Sequence, residues 1–187
     1  MTPIETIASA CTRISAGNFD AAAAGIRQHY PFDPKPSVSR SYTEMQSTSI
    51  FRRDGILDRY SGERLVFPGT LRLLSIRMPD VFPCHPNWKT SKTHPAYWRL
   101  SPTVDHIVPV TRGGEDVPAN WVTTSMLRNS AKGNWLLEEL GWALHVPGDA
   151  GGWDGLMPWF VEQVEVDRSL LANSAIRRWY RASQQLR

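Results

Sequence analysis

Between Thr103 and Asn134 the chain reads TVDHIVPVTRGGEDVPANWVTTSMLRNSAKGN, and five of its residues carry groups suited to one chemistry. Asp105 and Asn129 offer hard oxygen donors, which suit a divalent cation such as Mg²⁺ or Mn²⁺. His106 supplies an imidazole that is a neutral base near physiological pH. Asn120 stands where a loop returns, placed to pin that loop or to orient the imidazole. Lys132 lies three residues after Asn129, on the same face of a helix, and is read as a phosphate contact, the alternative being a purely structural role. A base that activates water beside a cation that stabilises developing charge is a set of parts for phosphodiester hydrolysis. One condition attaches to it. Neighbours in a regular strand point to opposite faces, so Asp105 and His106 serve one centre only if the backbone distorts locally.

The elements that must position these residues read as strand, Gly-Gly loop, strand and helix. The segment WRLSPTVDHIVPV has the β-branched content of a strand, TRGGEDVPAN is a loop and WVTTS a second strand. MLRNSAKGNWLLEELGW is expected as one helix despite Gly133. Upstream, IETIASACTRI and FDAAAAGIRQHY read as helices parted by the breaker SAGN, and PFDPKPS at 31–37 as a proline-rich connector. SYTE at 41–44 has capping-box spacing and predicts a helix to about Arg53. DGILDRYSGERL reads as turn, short strand and turn, and 68–98 as a segment rich in proline and aromatics. Residues 146–155 look like a linker, and helices are expected near 156–165 and 167–184. The fold class is α+β, with helices at both ends of the hairpin block. The expected divisions are an N-terminal helical extension over 1–40, a central domain over 41–145, and a C-terminal helical extension over 146–187 packed on that domain.

Composition bounds the setting. The chain has 187 residues, 41% hydrophobic and 21% charged, as in ordinary globular domains. No apolar run is long enough for a bilayer, and the first residues lack a basic n-region, so a cytoplasmic protein with no membrane partner is expected. Two cysteines, Cys11 and Cys84, argue against a disulfide framework and against a four-thiolate zinc site. The formal charge is +3, and from Arg168 onward there are five arginines and no acid. A second basic cluster, Arg52, Arg53, Arg59 and Arg64, is diluted by Asp54, Asp58 and Glu63. Arg177, Arg178 and Arg181, with Trp179 and Tyr180 among them, suit a nucleic-acid backbone; the alternative is a solvated helix face.

At DHIVP, GG, NW and NSAK the chain resembles the HNH nuclease family, which has the ββα-metal fold. The resemblance implies an HNH endonuclease core flanked by N- and C-terminal helices. His106 would be the general base, Asn120 the middle asparagine that holds loop and base, and Asp105 and Asn129 the ligands of one divalent metal, Mg²⁺ or Mn²⁺ rather than Zn²⁺. The implied partner is DNA, with RNA not excluded, and such cores serve restriction, defence and mobile elements. Many family members begin RD-x-x-x-C-x-x-C-G and carry a second Cys-x-x-Cys before the third motif residue, four cysteines that bind structural zinc. This chain keeps that frame in RDGILDRYSG and SMLRN, but the four ligand positions are Asp58, Ser61, Ser125 and Arg128. Two hydroxyls and a guanidinium are not zinc ligands, so no structural zinc is expected. Asp58 and Arg128 are instead expected to pair, with Ser61 and Ser125 hydrogen-bonded nearby; otherwise both charges point to solvent.

Two further groups stand outside that frame. Arg112, beside the Gly-Gly turn, is either a phosphate contact or an exposed loop arginine. Cys84, His85 and His94 are three conceivable zinc ligands, but their spacing fits no common finger, so local packing or substrate contact is the expected role, and Trp88, Tyr97 and Trp98 are read as core or rim aromatics rather than base-stacking platforms.

Overall fold

The computed structural model describes residues 1–32, 42–148 and 152–185. The chain divides into two compact units, Met1–Val38 and Ser39–Arg187. The first two helices therefore form a unit of their own. The C-terminal helices belong to the same unit as the hairpin block.

In the first unit, α1 (Pro3–Ser15) begins on a capping box between Thr2 and Glu5, with Pro3 in the first turn. Gly17, at φ 73°, turns the chain, and Asn18 caps α2 (Phe19–His29). The two helices pack on each other, and Arg13 donates to the Ala21 carbonyl across the pair at 2.6 Å.

The second unit opens with α3 (Glu44–Arg53). Its capping box is Thr43 with Gln46, two residues later than the expected Ser41–Glu44 box. Ser41 itself lies outside the described residues, as do 33–37 of the proline-rich connector. A helix that composition did not reveal follows, α4 (Pro68–Arg77), started by Pro68 in its first turn. A short helix α5 (Ala96–Arg99) leads to β1 (Pro102–His106). β1 pairs antiparallel with β2 (Trp121–Ser125), from Pro102↔Ser125 to His106↔Trp121. α6 (Met126–Lys132) follows directly. The long helix expected over 126–142 is broken. Gly133, at φ 51° and ψ −123°, ends α6, and only a turn, α7 (Leu137–Leu140), resumes. The last helices are α8 (Met157–Val166) and α9 (Ser174–Gln185), separated by a 3₁₀ turn over Arg168–Ala172. Asn173 caps α9 by accepting from the Ala175 and Ile176 amides.

A two-stranded hairpin is marginal alone, so its neighbours hold it. α3 and α6 both pack on the two strands, and α9 packs on α3 and α4. One apolar cluster joins Ile50, Phe51, Ile56, Leu65 and Val104 beneath the hairpin. A second joins Phe67, Leu73, Phe160, Val164 and Ile176 between α4, α8 and α9, and Trp179 touches both. The described part of 146–155 is not a free linker. The Gly148 amide donates to the Asp54 carbonyl, and the Trp153 indole donates to the Leu65 carbonyl.

Candidate active site

The loop between the strands is built to one shape. Gly113 sits at φ 92° after a 3₁₀ turn, and a Cβ on Gly114 would lie 1.9 Å from the Val108 carbonyl oxygen. Only glycines fit this turn. Asn120 closes the loop. Its Oδ1 accepts from the Val108 amide at 2.9 Å, and its Nδ2 donates to the carbonyls of Val108 (2.9 Å) and Glu115 (2.8 Å). Asn120 therefore pins the loop, one of the two roles expected of it, and does not touch the imidazole.

What that loop delivers to the imidazole is Asp116, a residue the sequence motifs do not mark. His106 ends β1 with its side chain 8% exposed, and its Nε2 lies 2.8 Å from Asp116 Oδ1. The Trp121 indole nitrogen is 2.9 Å from the same oxygen and 3.2 Å from His106 Nε2. These contacts fix the tautomer. A carboxylate and an indole N–H cannot both use an unprotonated Nε2, because the carboxylate has no proton to give. The consistent assignment puts a proton on Nε2, donated to Asp116, while the indole N–H also donates to Asp116. The lone pair then resides on Nδ1, the nitrogen able to accept a proton. The Tyr42 hydroxyl stands 3.5 Å from Nε2 at the edge of this group.

Asp105 has other company. Its Oδ2 accepts from the Tyr60 hydroxyl at 2.7 Å and pairs with Lys132 Nζ at 3.0 Å. Burial, then the charge of Asp105, pushes the Tyr60 phenol far above its usual range, so it stays a neutral donor. Lys132 corrects an expectation. Its side chain is fully buried, and its ammonium also donates to the His106 carbonyl at 2.7 Å. It ties α6 to the end of β1 and is not placed to meet a phosphate. The expected backbone distortion is also missing, because the ladder runs one-to-one through His106. Asp105 thus faces Tyr60 and Lys132, while His106 faces Asp116 and Trp121, and Lys132 is the side chain that touches both residues.

Asp105 and Asn129, the two expected metal ligands, each offer an oxygen donor of the kind that suits a divalent cation. Both hydrogen bonds to Asp105 fall on Oδ2, and Oδ1 has no hydrogen-bond donor among the described residues. Asn129 is half-buried on α6, and among the described residues its side-chain amide makes no hydrogen bond. Among the described residues no three His, Cys, Asp or Glu side chains gather as a metal cluster, and Cys84, His85 and His94 form none.

The four positions expected to replace a zinc clip gather around one carboxylate. Asp58 is fully buried. Its Oδ1 accepts from the Tyr60 amide (2.9 Å) and the Thr124 hydroxyl (3.1 Å), and its Oδ2 accepts from the Ser125 amide (2.9 Å). The expected pair with Arg128 is present but loose, at 3.7 Å, and Arg128 also lies 3.9 Å from Glu63. Ser125 Oγ caps α6 by accepting from the Arg128 amide, and Ser61 Oγ accepts from the Glu63 amide. A second buried carboxylate, Asp54, does the same work nearby. It accepts from the Thr123 amide at 2.7 Å and pairs with Arg53 (2.9 Å) and Arg59 (3.0 Å).

The chain matches no protein-family model, no curated protein and no solved structure. The site's own geometry therefore carries the functional argument.

Of the basic residues expected at nucleic acid, Arg112 is engaged by Glu139 through two hydrogen bonds, 2.9 and 3.3 Å. The Leu136 amide and this guanidinium hold Glu139 below the usual carboxylate range. Arg178 pairs with Glu44, and Arg177 donates to the Leu171 carbonyl at 2.9 Å. Arg177, Arg178 and Arg181 are all exposed on α9. Among the described residues, Arg181 has no ion-pair partner. No helix among the described residues is long and apolar enough to cross a membrane.

Proposed function

We propose that the chain is an HNH-type endonuclease of the ββα-metal fold, hydrolysing phosphodiester bonds of DNA. One observation carries this reading: an imidazole at the end of a hairpin strand whose Nε2 lies 2.8 Å from Asp116, which makes Nδ1 the nitrogen that would act as base. His106 Nδ1 would take a proton from water as the water oxygen attacks phosphorus. The P–O3′ bond then breaks, and the leaving 3′-oxygen departs with the electron pair and is protonated from solvent. Asp105, through Oδ1, and Asn129 would hold one Mg²⁺ or Mn²⁺, which supplies charge stabilisation at the phosphate and the leaving oxygen. The regular ladder leaves Asp105 and His106 on opposite faces of β1, so a shared centre requires the end of the strand, at His106, to distort when metal and phosphate bind.

The Lys132 ammonium offsets the Asp105 carboxylate. A cation facing a net-neutral pair binds weakly by itself, so the metal is expected to arrive with the substrate phosphate. The same pair favours a second reading, a nucleic-acid-binding module without catalysis. Nicking of supercoiled plasmid with Mg²⁺, Mn²⁺ or Zn²⁺, with and without EDTA, separates the two. The nuclease reading expects cutting with Mg²⁺ or Mn²⁺, slower cutting with Zn²⁺, and a loss of about 10²–10⁴-fold in His106→Ala with DNA binding kept. Binding without cutting under every metal supports the module. Parallel assays on single-stranded RNA decide the substrate class.

A further inference from the structure

A cavity of about 500 Å³ opens at the far end of β1 from His106. Its walls come from α4, from the 84–88 segment, from the start of β1 and from the first turn of α9. Two kinds of side chain dominate. Trp88, Tyr97 and Trp179 present aromatic surface, while Arg72, Arg178 and His85 present donors. Glu44 is the one carboxylate in the wall, and it is already paired with Arg178. The lining therefore carries a net positive charge.

Three details mark this cavity as more than a packing gap. The Arg72 Nε is buried, yet it has no hydrogen-bond partner among the described residues. Such a donor costs stability unless something supplies an acceptor. Trp88 holds φ at 50°, a conformation that a bulky aromatic adopts only under constraint. It is kept there by a turn onto the His85 carbonyl and by edge-on contact with Tyr97 and Trp98. His85 Nδ1 accepts from the Asn87 amide at 3.1 Å, so its Nε2 carries the proton and is a donor. The helix end adds little, because Asn173 already caps two of the first amides of α9.

The cavity is also connected to the candidate active site. A shallow trough lined by Tyr42, Ser47, Phe51 and Val104 shares Glu44, Pro102 and Trp179 with it. At its other end Tyr42 stands 3.5 Å from His106 Nε2. From Pro102 to His106 is roughly 13 Å at about 3.3 Å per strand residue. At 3.4 Å per stacked step that distance spans at most about four steps, and fewer nucleotides of an extended strand.

We propose that this cavity is a nucleotide-binding site, taking a planar base against Trp88 and Trp179 and its phosphate on Arg72 and Arg178. Stacking on aromatic faces with guanidinium contacts to phosphate is the chemistry by which single nucleotides are held. The ligand is either an unpaired nucleotide of the strand lying in the trough or a free mononucleotide. The first source rests on the nuclease reading, and the second does not.

The test uses the full chain in EDTA. Calorimetric titration with deoxynucleoside 5′-monophosphates is compared with inorganic phosphate for wild type, Arg72→Gln, Trp88→Ala and His106→Ala. The proposal expects nucleotide to bind more tightly than phosphate, at least tenfold weakening in each cavity variant, and no change in His106→Ala. Oligonucleotide cleavage then identifies the source. A KM raised at least tenfold with kcat kept, in both cavity variants, assigns the site to the strand. An unchanged KM beside lost mononucleotide binding assigns it to a free nucleotide. If no mononucleotide binds in the millimolar range and both variants cleave with wild-type KM, the proposal is wrong. If wild type never cleaves, the nuclease reading fails, and the titrations alone decide the cavity. Near-UV circular dichroism confirms that each variant is folded.

Discussion

Replacing Asp58 removes the acceptor for three donors that have no route to water. The Tyr60 amide, the Ser125 amide and the Thr124 hydroxyl all converge on this one buried carboxylate. Each hydrogen bond to a charged acceptor contributes about 1.5–3 kcal/mol, so Asp58→Ala is expected to cost about 4.5–9 kcal/mol. That is much of the stability of a small domain, about 5–15 kcal/mol, so a milder variant is needed. Asp58→Asn keeps the shape and one acceptor oxygen but turns an NH₂ toward one donor, at an expected cost of about 2–3 kcal/mol. Arg128 is different. Its guanidinium is 34% exposed and 3.7 Å from Asp58, an ion pair worth about 0.5–1 kcal/mol. Its packing over the Trp142 ring adds a similar amount. Urea unfolding of Asp58→Asn, Arg128→Ala and the double variant should therefore give a coupling near or below about 1 kcal/mol, with Asp58→Asn the costlier single change. A coupling above about 3 kcal/mol would show that the ion pair, not the hydrogen bonds to backbone, joins the two halves of the knuckle. Equal costs for the two single variants would refute the reasoning as well.

Lys132→Met should lower stability by about 3 kcal/mol in urea unfolding, because it strands a buried carboxylate that keeps only Tyr60; a residue that merely bound phosphate would change KM with stability intact. Gly114→Ala should cost about 2–3 kcal/mol, since its Cβ would overlap the Val108 carbonyl and press within 2.9 Å of the Asn120 amide; a wild-type midpoint would mean that the loop is softer than its hydrogen bonds imply. Tyr97 is buried and hydrogen-bonded to the Leu71 carbonyl and Ser75, and burial pushes its phenol above the usual value. A raised value in the folded state means stability that is present below the ordinary phenol range, near 10, and lost as pH climbs above it. Urea midpoints measured between pH 9 and 11.5 should fall faster for wild type than for Tyr97→Phe; parallel curves would remove Tyr97 from the account.

The legible parts of the fold were those whose cause is local. The two strands and the Gly-Gly loop follow from β-branched runs and turn residues, and Asp105, His106, Asn120 and Asn129 stand out because their spacing is short. What the sequence hid depends on partners far along the chain. Asp116 looks like any loop acid until Asn120 stitches the loop and brings it to His106. Lys132 looks exposed at its helical spacing, and only the meeting of α6 with β1 turns its ammonium inward. Gly133 is tolerable inside an apolar helical pattern, yet its backbone angles end α6. Asp54 and Asp58 read as dilution of a basic cluster, because their acceptor role is met by amides of β2 more than sixty residues away. Helix α4 was masked by the proline that in fact starts it.

The three buried or nearly buried acids, Asp54, Asp58 and Asp105, face the same small hairpin, and each has a cation beside it: Arg53 and Arg59, Arg128, and Lys132. A hairpin this short has few apolar residues to bury, and its second strand reads Trp-Val-Thr-Thr-Ser. Carboxylates that accept from strand amides and from a threonine hydroxyl supply the cross-links that apolar packing cannot. The side chains that make these cross-links belong to the chain itself, so they survive chelation. EDTA or phenanthroline should therefore leave the thermal midpoint unchanged within about 1 °C, while abolishing any metal-dependent cutting. Added Mg²⁺ should raise the midpoint only slightly, because a weak site stabilises by RT ln(1 + [L]/Kd) and [L]/Kd stays small. A structural metal would behave in the opposite way, since its binding free energy is folding free energy. A midpoint that falls by about 10 °C on chelation and recovers with Zn²⁺ would show that a metal, not Asp58, holds the knuckle together.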